Sequence, residues 1–210
     1  MKNRHFYILL VLILGASIFG YSGCARSPSP KFYLLNPVEN IAPGAGRMAE
    51  DGCLSIGIGI IGIPEYLDRP QIVTRGTPDE ISLAELHRWG EPLQDNLRRA
   101  LAKNLSNLLC TKTIVMLPVR GKVPIDYRVE MEVLRLDGSL GGNVSLEAWW
   151  MIFSGEGNGI LLTKKSAFTE AVGGQNYKSL VAAQSRALGR LSGEIAEAIK
   201  TLAGKSQRVN

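Results

Sequence analysis

Three glycines raise the first chemical question. Gly57, Gly59 and Gly62 stand in "LSIGIGIIGIPEYLDRP" at the spacing G-x-G-x-x-G, which cradles a dinucleotide when a strand precedes it and a helix opens on it. Here isoleucines continue between the glycines, which favours extended chain. Pro64 and Pro70 follow before a helix could begin on the glycine loop. Leu54 to Ile63 therefore reads as a strand, with Ile56, Ile58 and Ile60 on one face and Gly57, Gly59 and Ile61 on the other. Bare glycines on a strand face mark the close approach of another element, and no cofactor is expected.

Other groups that could do chemistry are few. The chain has two histidines, His5 and His87, and His5 falls in a leader read below as removed. A Ser-His-Asp arrangement could use only His87 as its base, and no G-x-S-x-G elbow is present. In "ELHRWG", just before a helix, a surface or capping role suits His87 better. Glu130 and Glu132 share a strand face and could pose as a carboxylate pair, but alternation against a buried face makes them a solvated row. His, Cys, Asp and Glu do not cluster as metal ligands do. Nothing requires an enzyme, and no metal is expected.

One set of groups is unusual for a turn: Tyr66, Leu67, Asp68, Arg69, Arg75 and Trp89. Read as local structure, Asp68 caps the turn, an arginine pairs with it, and Trp89 covers the start of a helix. Read as a surface, Tyr66, Leu67, Arg69, Arg75 and Trp89 form a partner interface, since Tyr, Trp and Arg are the types that anchor interfaces. The two readings are compatible.

The elements that must position these groups begin with an export leader. Lys2 and Arg4 precede an apolar run from Phe6 to Gly20, short of the roughly 20 residues that span a bilayer comfortably. The run ends in Tyr21-Ser22-Gly23-Cys24, similar to a bacterial lipobox, in which the cysteine is acylated and becomes the mature N-terminus. Tyr21 departs from the aliphatic residue usual there. Ala25, where an inner-membrane lipoprotein would carry Asp, favours the outer membrane. Acyl chains would anchor the protein without a transmembrane helix. Residues 1–23 thus read as signal peptide, 24–30 as a tether, 31–204 as a single domain and 205–210 as a tail.

The whole chain carries a formal charge of +5. Loss of residues 1–23 removes two basic and no acidic residues, leaving 22 against 19, or +3. With no run of five or six like charges, nucleic acid is not an expected partner.

Along the domain, Lys31 to Pro37 reads as a short strand and Val38 to Gly52 as a Gly/Pro-rich loop. After Leu54–Ile63 come a turn and a short extended run, Gln71 to Thr74. "GTPDEISLAELHRWG" then leads into an amphipathic helix over about Glu91 to Leu109, with Pro92 in its first turn and Leu93, Leu97, Leu101 and Leu105 on one stripe. Thr113–Leu117 is apolar. Ile125–Leu136 and the run from Val144 to Phe153 alternate, and Ile160–Ala171 completes an antiparallel meander. Tyr177 to Leu202 reads as the last helix. The expected fold is α+β: a two-layer sandwich of a mixed sheet with an antiparallel meander, and two helices packed on one face.

Besides Cys24, the cysteines are Cys53 and Cys110, an even pair that is either disulfide-bonded or two buried thiols in an exported chain. If the strand after the first helix runs parallel to Leu54–Ile63, that helix must end near the strand's start, bringing Cys110 towards Cys53.

With these residues assembled, the chain resembles the PqiC/YmbA-type auxiliary lipoproteins of bacterial ABC and MCE transport systems. The likeness rests on the lipobox cysteine, the "FYLL" strand, the run "IGIIGIPEYLDRPQIVTR" and, some dozen residues on, "RWGEPLQDNLRRALAKNL". It implies an outer-membrane, periplasm-facing lipoprotein that docks an MCE-domain transporter protein carrying lipids or other hydrophobic molecules, as a ring of copies, with no catalytic role or cofactor. Two rivals remain: a lipid-binding carrier module, hinted at by the two-faced strand "AWWMIF", and a structural adaptor for cell-wall synthesis enzymes. A hydrolase built on His87 is more distant.

Overall fold

The structure, a computed structural model, describes residues 28–38, 53–155 and 159–206. The signal peptide, Cys24 and nearly all of the 38–52 loop lie outside the described residues. In chain order the elements are β1 (Lys31–Tyr33), β2 (Leu54–Gly62), β3 (Gln71–Thr77), β4 (Glu80–Trp89), α1 (Leu93–Leu108), β5 (Thr111–Met116), β6 (Tyr127–Gly138), β7 (Asn143–Ser154), β8 (Ile160–Ala171) and α2 (Tyr177–Ser206).

The fold class is the expected one. A five-stranded mixed sheet has the order β5-β2-β6-β7-β8, with β2 parallel to both β5 and β6 and the meander β6-β7-β8 antiparallel. The helices pack against each other, α1 over β2 and β5, and α2 over β6 to β8. Between the layers lie Ile56, Ile58, Val129, Leu146 and Trp150 from the sheet, with Leu97, Leu101, Leu188 and Ile195 from the helices, all buried.

A second sheet, β1-β4-β3, is new relative to the sequence reading. Glu80–Trp89, taken there as the connection into the helix, is a strand antiparallel to β3 and parallel to β1. Its sequence "EISLAELHRW" mixes Glu, Leu and Ala, which have little strand preference of their own. Pairing on both sides decides its state.

Strand β2 also corrects one face assignment. Its register with β6 shifts between Ile58 and Ile61, a bulge that turns the side-chain alternation over. Ile61 joins Ile56 and Ile58 in the core, and Ile60 is 67% exposed. The glycines make room for side chains of the neighbouring strand. A Cβ at Gly59 would lie 2.6 Å from Glu130 Cγ, and one at Gly62 would collide with the Glu132 carboxylate. Glu130 itself pairs with Arg128 at 3.2 Å.

The first strand is shorter than Lys31–Pro37. After Tyr33 the chain leaves β4 and runs as an extended strap across both helices. Leu35 N–H donates to Asn96 Oδ1 at 2.6 Å, Asn36 N–H to Ser185 Oγ at 3.1 Å and Val38 N–H to Asn104 Oδ1 at 3.1 Å. Asn104 Nδ2 in turn donates to Ser192 Oγ at 3.0 Å. Val38 lies so close to α2 that any side chain at Gly189 would strike it. These bonds answer backbone groups that no strand partner reaches.

At the other edge, β2 and β5 begin side by side, with Leu54 N–H donating to Cys110 O at 2.9 Å. Cys53 and Cys110 are bonded as a disulfide, their Cα atoms 4.7 Å apart and 57 residues apart in sequence. In the chain-entropy picture a loop of that length stabilises by roughly 4 kcal/mol. Replacing both cysteines by alanine should lower the unfolding free energy by about that amount in urea titration. A loss under about 1 kcal/mol would mean that other contacts already align β2 with β5.

Candidate functional site

Among the described residues, Asp137 is the carboxylate that is 0% exposed. The alternation of Tyr127, Val129, Met131 and Val133 carries β6 along the core, and a register shift between Val133 and Arg135 then changes its phase. Leu136 enters the core and Asp137 follows it inward. A carboxylate without water there costs several kcal/mol unless it is paired and hydrogen-bonded.

Three donors converge on it. Tyr66 donates its phenolic hydrogen to Oδ2 at 2.9 Å, Arg75 Nε donates to Oδ2 at 3.0 Å, and Arg135 Nε donates to Oδ1 at 2.8 Å. The Arg75 guanidinium also lies over the Tyr66 ring, 5.5 Å from its centroid, and gives Nη1 to Pro78 O at 2.7 Å. Burial, together with the Asp137 carboxylate that holds its proton, pushes the Tyr66 phenol up to about 12. For Arg75, burial works against the charge, but the bond to Asp137 outweighs it and the group titrates above its ordinary value. Tyr66 thus keeps its proton and Arg75 its charge at neutral pH. The cluster joins the turn after β2 and strand β3 to the end of β6.

The proposed interface residues divide accordingly. Tyr66 and Arg75 meet on Asp137. Leu67 and Trp89 are 3% and 5% exposed and belong to the core, so they lie under the surface rather than on it. Arg69 is half-buried and donates Nη2 to Glu65 O at 3.4 Å. Asp68 is exposed at the turn, and the aspartate that receives an arginine is Asp137, which the sequence reading did not single out. Beside the cluster, Arg75 is registered with Ile81 and Val73 with Leu83, and both β4 residues are exposed.

His87 lies within β4 rather than ahead of the helix as a cap. Its Nδ1 is hydrogen-bonded to Tyr33 Oη at 2.8 Å, and its ring stacks on Tyr177 with centroids 4.1 Å apart. Burial, and then the Lys31 ammonium, hold it below the usual imidazole range, so it is neutral at pH 7. Among the described residues no three His, Cys, Asp or Glu side chains gather as a metal site would require. Among the same residues, no helix is long and apolar enough to cross a membrane.

Comparison with known proteins decides the family. The family model of the ABC-type transport auxiliary lipoprotein component matches residues 33–196. The chain belongs to this family. As a member it is an auxiliary lipoprotein component of ABC-type transport, attached to a membrane through lipid. Solved structures share its fold at low identity. One uncharacterized protein is 17% identical with a TM-score of 0.66, over 82% of this chain and 99% of its own. A Xanthomonas campestris protein is 14% identical with a TM-score of 0.62, over 87% and 99%. A PelC dodecamer from Paraburkholderia phytofirmans is similar at a TM-score of 0.44 and 8% identity, over 68% and 88%. No curated protein matches.

Asp137→Asn should cost about 3 kcal/mol, because two guanidiniums then face a neutral amide. Chemical denaturation checks this, and an unchanged midpoint would remove Asp137 from its structural role. The phenol adds a pH signature. Its folded-state pKa lies above the unfolded value of about 10, so its contribution is complete below pH 10 and is lost as pH rises towards 12. Tyr66→Phe should flatten part of that alkaline decline in stability.

Proposed function

We propose that this auxiliary lipoprotein is anchored in the outer membrane by acylated Cys24, faces the periplasm, and docks the periplasmic end of an MCE-type system that moves lipids or other hydrophobic molecules between membranes. The observation that carries the reading is the family match over residues 33–196. The leader with its lipobox cysteine and the non-acidic Ala25 support the choice of membrane. The short tether after Cys24 reaches roughly 20 Å at full extension, which keeps the folded domain beside that membrane.

A binding role fits the chemistry. His87, the base that a hydrolase would need, is neutral and held between two tyrosines. A docking face is available on the small sheet, where Ile81 and Leu83 are exposed next to Arg75, with Tyr66 and Arg69 nearby on the same turn. Apolar residues beside arginine and tyrosine are the composition of an interface centre and its rim. Several copies arranged as a ring would present this face repeatedly to one transporter.

The lipid-carrier rival drew on "AWWMIF". In β7 the inward residues Ala148, Trp150 and Ile152 are buried, with Trp150 Nε1 donating to Ser166 Oγ at 2.9 Å. The strand's inner face is thus filled by packing against α2, and Trp149 supplies its outer one. This favours docking over carriage.

A cross-linked pull-down of the intact lipoprotein from native membranes, with mass spectrometry, tests the proposal. It should recover an MCE-domain protein, and Cys24→Ala should abolish recovery or mislocalise the chain. Ile81→Asp combined with Leu83→Asp should weaken recovery while leaving anchoring intact. Recovery of cell-wall synthesis enzymes alone would overturn the transport reading.

A further inference from the structure

A second site lies at the β1–β4 side of the small sheet. Between β1, β4 and the start of α2 is an open cleft of about 380 Å³, lined by Lys31, Tyr33, His87, Gln175, Tyr177 and Lys178 among others. Every ionisable group on its wall, among the described residues, is a lysine ammonium, a phenol or the imidazole, and no carboxylate lines it. Among the described residues neither Lys31 nor Lys178 takes part in an ion pair, in contrast to Lys164, Lys165 and Lys200. The floor is built rather than loose. Tyr33 is hydrogen-bonded to His87, and His87 is stacked on Tyr177, so three rings from three elements hold one another in place.

We propose that this cleft binds a phosphate group. Two ammonium groups on its rim supply charge, and polar edges of the ring stack and the Gln175 amide supply directional donors, which is the arrangement that phosphate oxygens favour. The position says which phosphates are near. Lys31 opens β1 and lies seven residues after Cys24, so the cleft is within roughly 25 Å of that cysteine along a fully extended chain. Phosphates of membrane-lipid head groups are the abundant anions at that distance from an acyl anchor. The cleft would act in this way whichever protein the domain docks.

His87 provides the readout. The charge that acts on it is that of Lys31 on β1; the phenols of Tyr33 on β1 and Tyr177 on α2 touch its ring, and Lys178 on α2 lines the same cleft. Lys31 already depresses its protonation. An anion seated among these groups must oppose that effect and raise the imidazole pKa.

The test uses the full lipoprotein, labelled with ¹³C-histidine and held in a maltoside detergent free of phosphate, with His87→Gln to identify the resonance. Three probes are titrated separately: inorganic phosphate, dihexanoyl phosphatidic acid, and dihexanoylglycerol as its phosphate-free counterpart. Phosphatidic acid should shift the His87 resonance and raise its pKa. Lys31→Gln with Lys178→Gln should weaken that binding by about tenfold or more, with the fold intact by circular dichroism. A response to inorganic phosphate as well assigns the site to the phosphate alone, and a response to phosphatidic acid only assigns it to a lipid head group. No response to either, or an equal response to dihexanoylglycerol, overturns the proposal. Neither result bears on recovery of the transporter partner, so the two readings fail separately.

Discussion

A single buried negative charge organises the junction between the two sheets. Asp137 has no access to water, and its ionisation is tolerable only because a phenol and two guanidiniums are delivered to its two oxygens from the turn after β2, from β3 and from β6 itself. Pairing of this kind seldom adds much net stability over an apolar substitute. It is, however, intolerant of misplacement, since any other seating of the small sheet takes Arg75 away and leaves the carboxylate without its full set of donors. The hairpin β3–β4 shares no backbone ladder with the large sheet, so polar geometry at one point does what a strand register would otherwise do.

Polar groups solve a second problem between the helices. Asn96 and Asn104 of α1 and Ser185 and Ser192 of α2 are buried, where alanine or leucine would seem the simpler choice. The oxygens of Asn96, Ser185 and Asn104 accept backbone N–H groups of the strap, Ser192 Oγ accepts from Asn104 Nδ2, and Ser185 and Ser192 also donate back to carbonyls four residues earlier in α2. The helix pair thus carries a ready-made set of acceptors into which an otherwise unpaired segment fits. The same segment leads from the tether into the body, so the route from the N-terminal side to the core is fixed by side chains rather than by sheet.

Much of this was legible in the sequence. The meander, both helices and the parallel approach of Cys110 to Cys53 follow from apolar periodicity and connection length, signals that repeat over many residues. The strand reading of the glycine motif followed from the β-branched residues between the glycines and the prolines after them, although the identity of the approaching groups, Glu130 and Glu132, depended on strand order. What stayed hidden depends on single residues. A bulge at Ile58–Ile61 and another at Val133–Arg135 each invert a side-chain pattern without leaving a mark in composition, and Asp137 reaches the core only because of the second. Strand β4 was hidden for a different reason: neighbours on both sides impose its state. Tyr66 and Arg75 were recognised as belonging together, but their common partner lies beyond any local pattern, while Leu67 of the turn and Trp89 at the end of β4 are large apolar residues that the core takes in.

The strap has a mechanical consequence. In a chain held at its N-terminal end, every displacement of the body against its tether is transmitted first through three residues of β1 and then through Leu34 to Val38. Because β1 lies alongside β4, a pull along the tether loads the backbone bonds between them sideways and together, not one after another as in the opening of a zip. Behind them the asparagine and serine contacts, with Val38 lodged against Gly189, act as a second fastening in series. The strap is in this way also a strain relief, taking up tension before it reaches the packed layers.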